Sequence, residues 1–357
     1  MTRRPLRLAS AALVVAAALA LGFTARHSNA AYTLRPLVGD HGVKASHHDA
    51  QLVNAWGLAA SPTGPWWTTN EARESSTLYS GTGRKQLLTV HVDGGPTGVV
   101  YYGGKGFVVH GGGHSDPARF IYACEDGRIR AWTPTVPGGW SNEAVVAVDD
   151  AGLAAIFRGL AIHGERLYAT DFHSGRVDVF DSKWRLLKLP PDAFTDPQIP
   201  AWDGPFGIQV VDRHVFVSFE YRAPVNGNDA PTGGYVDEFT LDGKLLARLP
   251  HAHMNEPWGM ALAPKSFGRF GGDLLVANFG DGSIRAYKRS GPHWHYDGVL
   301  AGKDGKPLLV NGLWGIAFGN GEMAGPRNEL FFASGPHTWR GPTEQSVHGL
   351  VGSISPA

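Results

Sequence analysis

Short apolar runs that turn on a glycine, with no sustained helical stripe, set the pattern of this chain. Six of them share one phrase: Asn54-Ala-Trp-Gly-Leu-Ala59, Gly95-Pro-Thr-Gly-Val-Val100, Phe157-Arg-Gly-Leu-Ala-Ile162, Gly204-Pro-Phe-Gly-Ile-Gln-Val210, Glu256-Pro-Trp-Gly-Met-Ala-Leu262 and Leu313-Trp-Gly-Ile-Ala-Phe318. Their anchor glycines, Gly57, Gly98, Gly159, Gly207, Gly259 and Gly315, stand 41, 61, 48, 52 and 56 residues apart. Behind the anchors come strands of period two around a turn. Arg166-Leu-Tyr-Ala-Thr-Asp-Phe-His-Ser-Gly-Arg-Val-Asp-Val-Phe180 aligns with Asp273-Leu-Leu-Val-Ala-Asn-Phe-Gly-Asp-Gly-Ser-Ile-Arg-Ala-Tyr287. Ser174-Gly175 and Asp281-Gly282 supply the hairpin turns. A period of roughly 40–50 residues built from such strands predicts an all-β chain, a six-bladed β-propeller with surplus length in loops. The last unit lacks an outer strand. Tyr32-Thr-Leu-Arg-Pro-Leu-Val38 is expected to supply it, pairing with the last blade and latching the termini, because an open sheet edge invites aggregation.

The first 30 residues read differently. A basic start (Arg3, Arg4, Arg7), an apolar run from Ala9 to Phe23 and the small residues Ser28-Asn-Ala-Ala31 are the order of a secretory signal peptide, too short to span a membrane. Cleavage is expected near Ala30 or Ala31, leaving one propeller domain over 31–357 that is exported to the periplasm, cell envelope or extracellular space. The paired arginines also fit the twin-arginine route. The full chain balances 32 basic against 32 acidic residues, and loss of the leader removes four arginines and no acid. The mature protein is therefore mildly acidic, which argues against nucleic acid and anionic membrane as partners. Cys124 is the sole cysteine and sits in a strand-like run, so it is expected to be buried and inert. A monomer is expected.

Residues just before the anchor glycines should converge at one mouth of the central channel. Asp203, Asn255 and Asn311 each stand four positions before an anchor, with Asn54 and Glu256 nearby. A ring of such oxygens suits Ca²⁺. The same residue types cap their own turns, and that reading stands beside the first. The ends of the second strands feed the same face, where Asn70, His110, Asp171, Glu220, Asn278 and His337 recur. Trp56, Trp258 and Trp314 directly precede their glycines, with Phe206 in the same place. They read either as packing between blades or as an aromatic mouth for a sugar or other flat ligand. Sixteen histidines are scattered in loops without a compact zinc signature. No phosphate-binding loop or serine nucleophile elbow is present.

Asp49-Ala-Gln-Leu-Val-Asn-Ala-Trp-Gly-Leu-Ala59, followed by Ser61-Pro-Thr-Gly-Pro-Trp-Trp67 and Ser76-Thr-Leu-Tyr79, resembles the opening of an uncharacterised family of exported bacterial propellers. Leu330-Phe-Phe-Ala-Ser-Gly-Pro336 and His348-Gly-Leu-Val-Gly-Ser-Ile354 resemble its close. The resemblance spans residues 32–354 and implies fold and export, not chemistry. The insertion Pro336–Val347 departs from the family's shorter link. More distantly the chain is similar to NHL-type and gluconolactonase-like propellers, in which a phrase like Asn311-Gly-Leu carries a metal ligand. Two functions compete: a binding or interaction module for a small molecule, glycan or protein, and a metal-dependent, lactonase-like hydrolase or lyase at the channel mouth.

Overall fold

The computed structural model describes residues 31–222, 233–339 and 345–357; the expected signal peptide lies outside them. Six small antiparallel sheets stand around a central channel. Their inner strands are Ala55–Ala60, Pro96–Tyr101, Phe157–His163, Asp203–Val211, Pro257–Leu262 and Leu313–Phe318. Each packs against the next and the sixth against the first, which closes the ring of a six-bladed propeller.

The repeated glycine is the joint between blades. A Cβ on Gly57, Gly159, Gly207, Gly259 or Gly315 would lie 2.5, 2.8, 2.0, 2.4 or 2.7 Å from the carbonyl oxygen of Thr97, Phe206, Trp258, Trp314 or Trp56 in the next blade. On Gly98 it would lie 2.7 Å from the Leu160 amide nitrogen. Only a residue without Cβ permits that approach. The pairing register also slips across each anchor, as between Ala55 and Leu58 or Pro257 and Met260. Such a bulge takes backbone groups out of the ladder, and buried groups need other partners. Second-strand hydroxyls supply them in three blades. The Gly57 N–H donates to Thr69 Oγ1 (2.8 Å), which donates to the Thr97 carbonyl of the next blade (2.5 Å). Gly159, Thr170 and Phe206 repeat the relay at 2.7 Å for each bond, and Gly207 donates to Ser218 Oγ at 2.7 Å.

The latch forms as expected. Tyr32–Gly39 pairs antiparallel with Leu350–Pro356 as an outer strand of the sixth blade, from Tyr32 opposite Pro356 to Gly39 opposite Leu350, with one slip of register between Pro36 and Val38. Tyr32 also reaches the fifth blade, donating its hydroxyl to the Phe267 carbonyl (2.9 Å) and stacking on Phe270. The 61-residue spacing in the second blade is taken up partly by an inserted hairpin, Val108–Gly111 with His114–Pro117. The third blade has three strands, with Leu186 bridged to Phe180 where a fourth would run. Cys124 is buried, and burial pushes its thiol up to about 12, as expected of an inert residue.

Candidate functional site: the aromatic mouth of the channel

At one end of the channel the residues directly before the anchor glycines come together in five blades, while Thr97 of the second blade donates its hydroxyl to the Arg158 carbonyl of the third (2.8 Å). In four blades that residue is aromatic, Trp56, Phe206, Trp258 and Trp314, and these four rings meet in one buried cluster. Trp56 stacks on Trp314 at 3.7 Å between centroids, and Trp258 meets both edge-on at 6.0 Å. Phe172 and Phe279 pack against the cluster from its rim, 5.3 Å from Phe206 and 4.0 Å from Trp314. So the aromatics join across the axis and form a floor, instead of packing separately between neighbouring blades.

The third blade puts Arg158 at the same position. Its guanidinium lies 5.2 Å from the Trp56 ring centre and 5.6 Å from that of Phe172, and it pairs with Glu125. Titratable groups from the other blades gather at this end: Glu71, Glu125, Asp203, Glu220, Glu256 and His337. Glu71 accepts a hydrogen bond from Asn54 Nδ2 at 2.7 Å. Burial pushes Glu220 up to about 8; the charges of Glu256 and Asp203 push the same way, against Arg158. Burial also lowers Arg158 to about 10, against the pull of Glu220 and Glu71. Glu256 and Asp203 are raised by burial, partly offset by His337 and by Arg222 respectively. The carboxyls are thus crowded and short of cations. A raised carboxyl opposes folding increasingly as pH climbs from its ordinary range towards 8, because the unfolded chain ionises it freely.

Backbone and hydrogen bonding add to this. Three positions before the anchors the chain turns left-handed in four blades: Asn54 (φ +52°), Gly95 (+68°), Glu256 (+54°) and Gly312 (+66°). Glycine fits that conformation and glutamate is strained in it. Among the described residues, the buried indole nitrogens of Trp56, Trp258 and Trp314, Arg158 Nε and Asn255 Oδ1 find no hydrogen-bond partner. Buried polar groups are ordinarily paired, so this concentration at one spot is a ligand-ready feature.

The mouth gathers Asn54, Trp56, Glu220, Glu256, Trp258 and Trp314 from the sequence candidates. Others serve the fold. Asn70 donates to Ser75 and Thr77, and Asp171 accepts from the amides of Ile156 and Ser174. Asn278 accepts from the Asn255 amide and donates within its own blade. His110 requires correction: it sits on the inserted hairpin, bonded to Ser115, while Cys124 ends the second strand of that blade. Asp203, Asn255 and Asn311 do lie at the mouth end of their strands, yet Asn311 donates to the His337 carbonyl (2.9 Å) and Asn255 Oδ1 is buried against Gly280. Among the described residues, no three His, Cys, Asp or Glu side chains converge as a metal site. Arg158, Glu71, Glu125 and Phe279 were not singled out from the sequence. Arg158 had a signal there, being the one charged residue directly before an anchor glycine.

A cavity of 540 Å³ adjoins the mouth between the fifth and sixth blades, lined by Glu256, Phe279, Asp281, Leu309, Asn311 and His337. The opposite end of the channel opens into 590 Å³ lined largely by aliphatic side chains such as Leu58, Val99, Leu160, Met260 and Ile316. Chemistry therefore concentrates at the aromatic end.

No protein-family model matches the chain. An uncharacterised protein of Acanthamoeba polyphaga mimivirus is 30% identical over 344 residues, covering 93% of this chain and 82% of that one. A second from the same virus is 29% identical over 345 residues, covering 93% and 88%. Among solved structures, the PQQ-bound aldose sugar dehydrogenase of Streptomyces coelicolor has a TM-score of 0.51 at 14% identity, covering 91% of this chain and 99% of that one. At that identity the likeness shows the fold alone. The two sequence relatives are viral, where the resemblance in the sequence pointed to bacteria. With a relative at this identity across nearly its whole length, the chain belongs to the propeller family of these mimivirus proteins.

Proposed function

We propose that this protein is an exported, monomeric propeller that binds a hydroxyl-rich ring compound, a pyranose or short glycan, at the aromatic mouth. One observation carries the reading: an aromatic floor coincides with unpartnered donors and a ring of carboxyls. The C–H face of a pyranose stacks on aromatic rings, its oxygens accept from indole N–H and guanidinium groups, and its hydroxyls donate to carboxylates. A concave, partly apolar site with a few convergent polar groups is the usual form of a small-molecule pocket. The leader composition supports export, and the mild acidity of the mature chain supports a partner other than nucleic acid.

The test is ligand-observed NMR with neutral, amino and acidic pyranoses, as monosaccharides and short oligomers, against wild type and Phe279→Ala. Phe279 is half-buried on the rim, so its loss should spare the fold. Binding of at least one class, weakened about tenfold in the variant as expected for loss of one stacking contact, supports the reading. Absence of binding by every class, or equal binding by the variant, contradicts it.

An enzymatic reading has its own support. Glu220, pushed up to about 8, holds a proton at neutral pH beside Arg158 and could act as a general acid in a hydrolase or lyase. The same NMR samples decide it, because turnover changes the ligand's own spectrum over hours and simple binding does not.

A further inference from the structure

We infer that the ligand carries an amino group, held as an ammonium by Glu256 in the cavity between the fifth and sixth blades; this rests on the glycan reading above. The cavity holds 540 Å³, room for one sugar unit or its substituent beside the mouth. The polar side chains that line it are Glu256, Asp281, Asn311 and His337. Among the described residues the Glu256 carboxylate takes no hydrogen bond. Asn255 Oδ1 is fully buried without a donor and lies against Gly280 of the cavity wall. Asn311 spends its amide N–H on the His337 carbonyl, which leaves its oxygen for a ligand. Asp281 adds negative charge at the same wall, though Ser283 and Arg285 already donate to it. Behind Phe279 of the cavity wall, Trp314 stacks at 4.0 Å and carries a buried indole N–H with no acceptor, at 5% exposure. That donor suits a sugar oxygen, and the surrounding acceptors suit an ammonium, which offers three N–H groups and no acceptor.

Charge points the same way. Glu71, Glu125, Glu220 and Glu256 at the mouth outnumber Arg158, which Glu125 already engages, and His337, whose charge partly offsets the burial of Glu256. A bound cation relieves the crowding of these acids, and a bound anion worsens it. Glu256 is further distinguished by its left-handed backbone at φ +54°, where two other blades use glycine. A glutamate retained where glycine is the easy residue fits a carboxylate needed for its charge.

The experiment compares methyl glycosides of glucosamine, glucose and glucuronic acid by titration calorimetry at neutral pH and low salt. The three share one ring and differ in charge. Wild type should bind the glucosamine glycoside about tenfold more tightly than the glucose glycoside, with glucuronate weakest, as expected of a charge-assisted contact. In Glu256→Gly the ratio of glucosamine to glucose affinity should fall to about one. That variant places at 256 the residue found at Gly95 and Gly312, and its melting temperature should equal or exceed that of wild type, which confirms a folded protein. Equal binding of all three sugars, tightest binding of glucuronate, or a preference that survives in Glu256→Gly overturns the inference and leaves the glycan mouth standing. Failure of all three sugars to bind wild type refutes the glycan reading itself.

Discussion

Gly207→Ala should destabilise the protein by about 3 kcal/mol or more, or prevent folding altogether. An added Cβ would sit 2.0 Å from the Trp258 carbonyl oxygen of the next blade. That atom is backbone, so the clash cannot be relieved by turning a side chain, and the inner strands must move apart. The same glycine N–H is bonded to Ser218, so displacement would also disturb a buried hydrogen bond. Gly152→Ala is the control. Nothing lies within 4 Å of a Cβ there and its backbone is not left-handed, so its unfolding midpoint should match wild type to within about 0.5 kcal/mol. Urea unfolding followed by tryptophan fluorescence measures both. Equal midpoints for the two variants would remove the close approach of blades as the reason for the repeat.

Deleting residues 31–39 should abolish cooperative unfolding or cause aggregation. The deletion removes a strand that pairs along Leu350–Pro356 and buries Tyr32, Leu37 and Val38 in two different hydrophobic clusters. Leu350–Pro356 would become an exposed edge, a template for pairing with another chain. It would also loosen the segment that leads into the first blade, because the Ser46 and Asp49 amides donate to the Pro36 and Gly39 carbonyls and His47 pairs with Val38. Far-ultraviolet circular dichroism during heating, with light scattering of the same sample, reads the outcome. A deletion protein that stays monomeric and melts like wild type would show that the ring closes without the latch.

The fold was legible because the device that closes the ring is written in one residue type. Glycine at the blade joint cannot be replaced without a clash, so it recurs where other positions drift, and the six anchors stand out from the sequence. The missing strand of the last blade was legible for the same reason, since a counted repeat shows what it lacks. The site was legible only in part. Equal offset from an anchor located the mouth and the tryptophans, but it said nothing of where side chains turn. Asn70 and Asn278 point into their own blades, and no offset distinguishes that from pointing at the channel. His110 was misplaced because the inserted hairpin breaks the count of strands within the second blade. Glu71 meets Asn54 through the strand pairing of its own blade, whereas Glu125 follows a second strand and only the packing of blades brings it to Arg158. Arg158 was hidden in plain view, as a charged residue where the pattern asks for an apolar or aromatic one. Its position makes sense once the aromatic floor is assembled around it.

The indole N–H signals of the protein test the central claim most directly. With ¹⁵N-labelled tryptophan, each of the eleven residues gives one signal, assigned by single Trp→Phe replacements. Trp56, Trp258 and Trp314 lie in the floor of the mouth, whereas Trp140 is fully exposed on the second blade. Addition of the pyranose that binds should shift the signals of Trp56, Trp258 and Trp314 in proportion to occupancy and leave Trp140 still. Saturable binding that leaves those three unchanged, while shifting Trp140 or other tryptophans outside the floor, would place the ligand elsewhere and contradict the assignment of the aromatic mouth as the site.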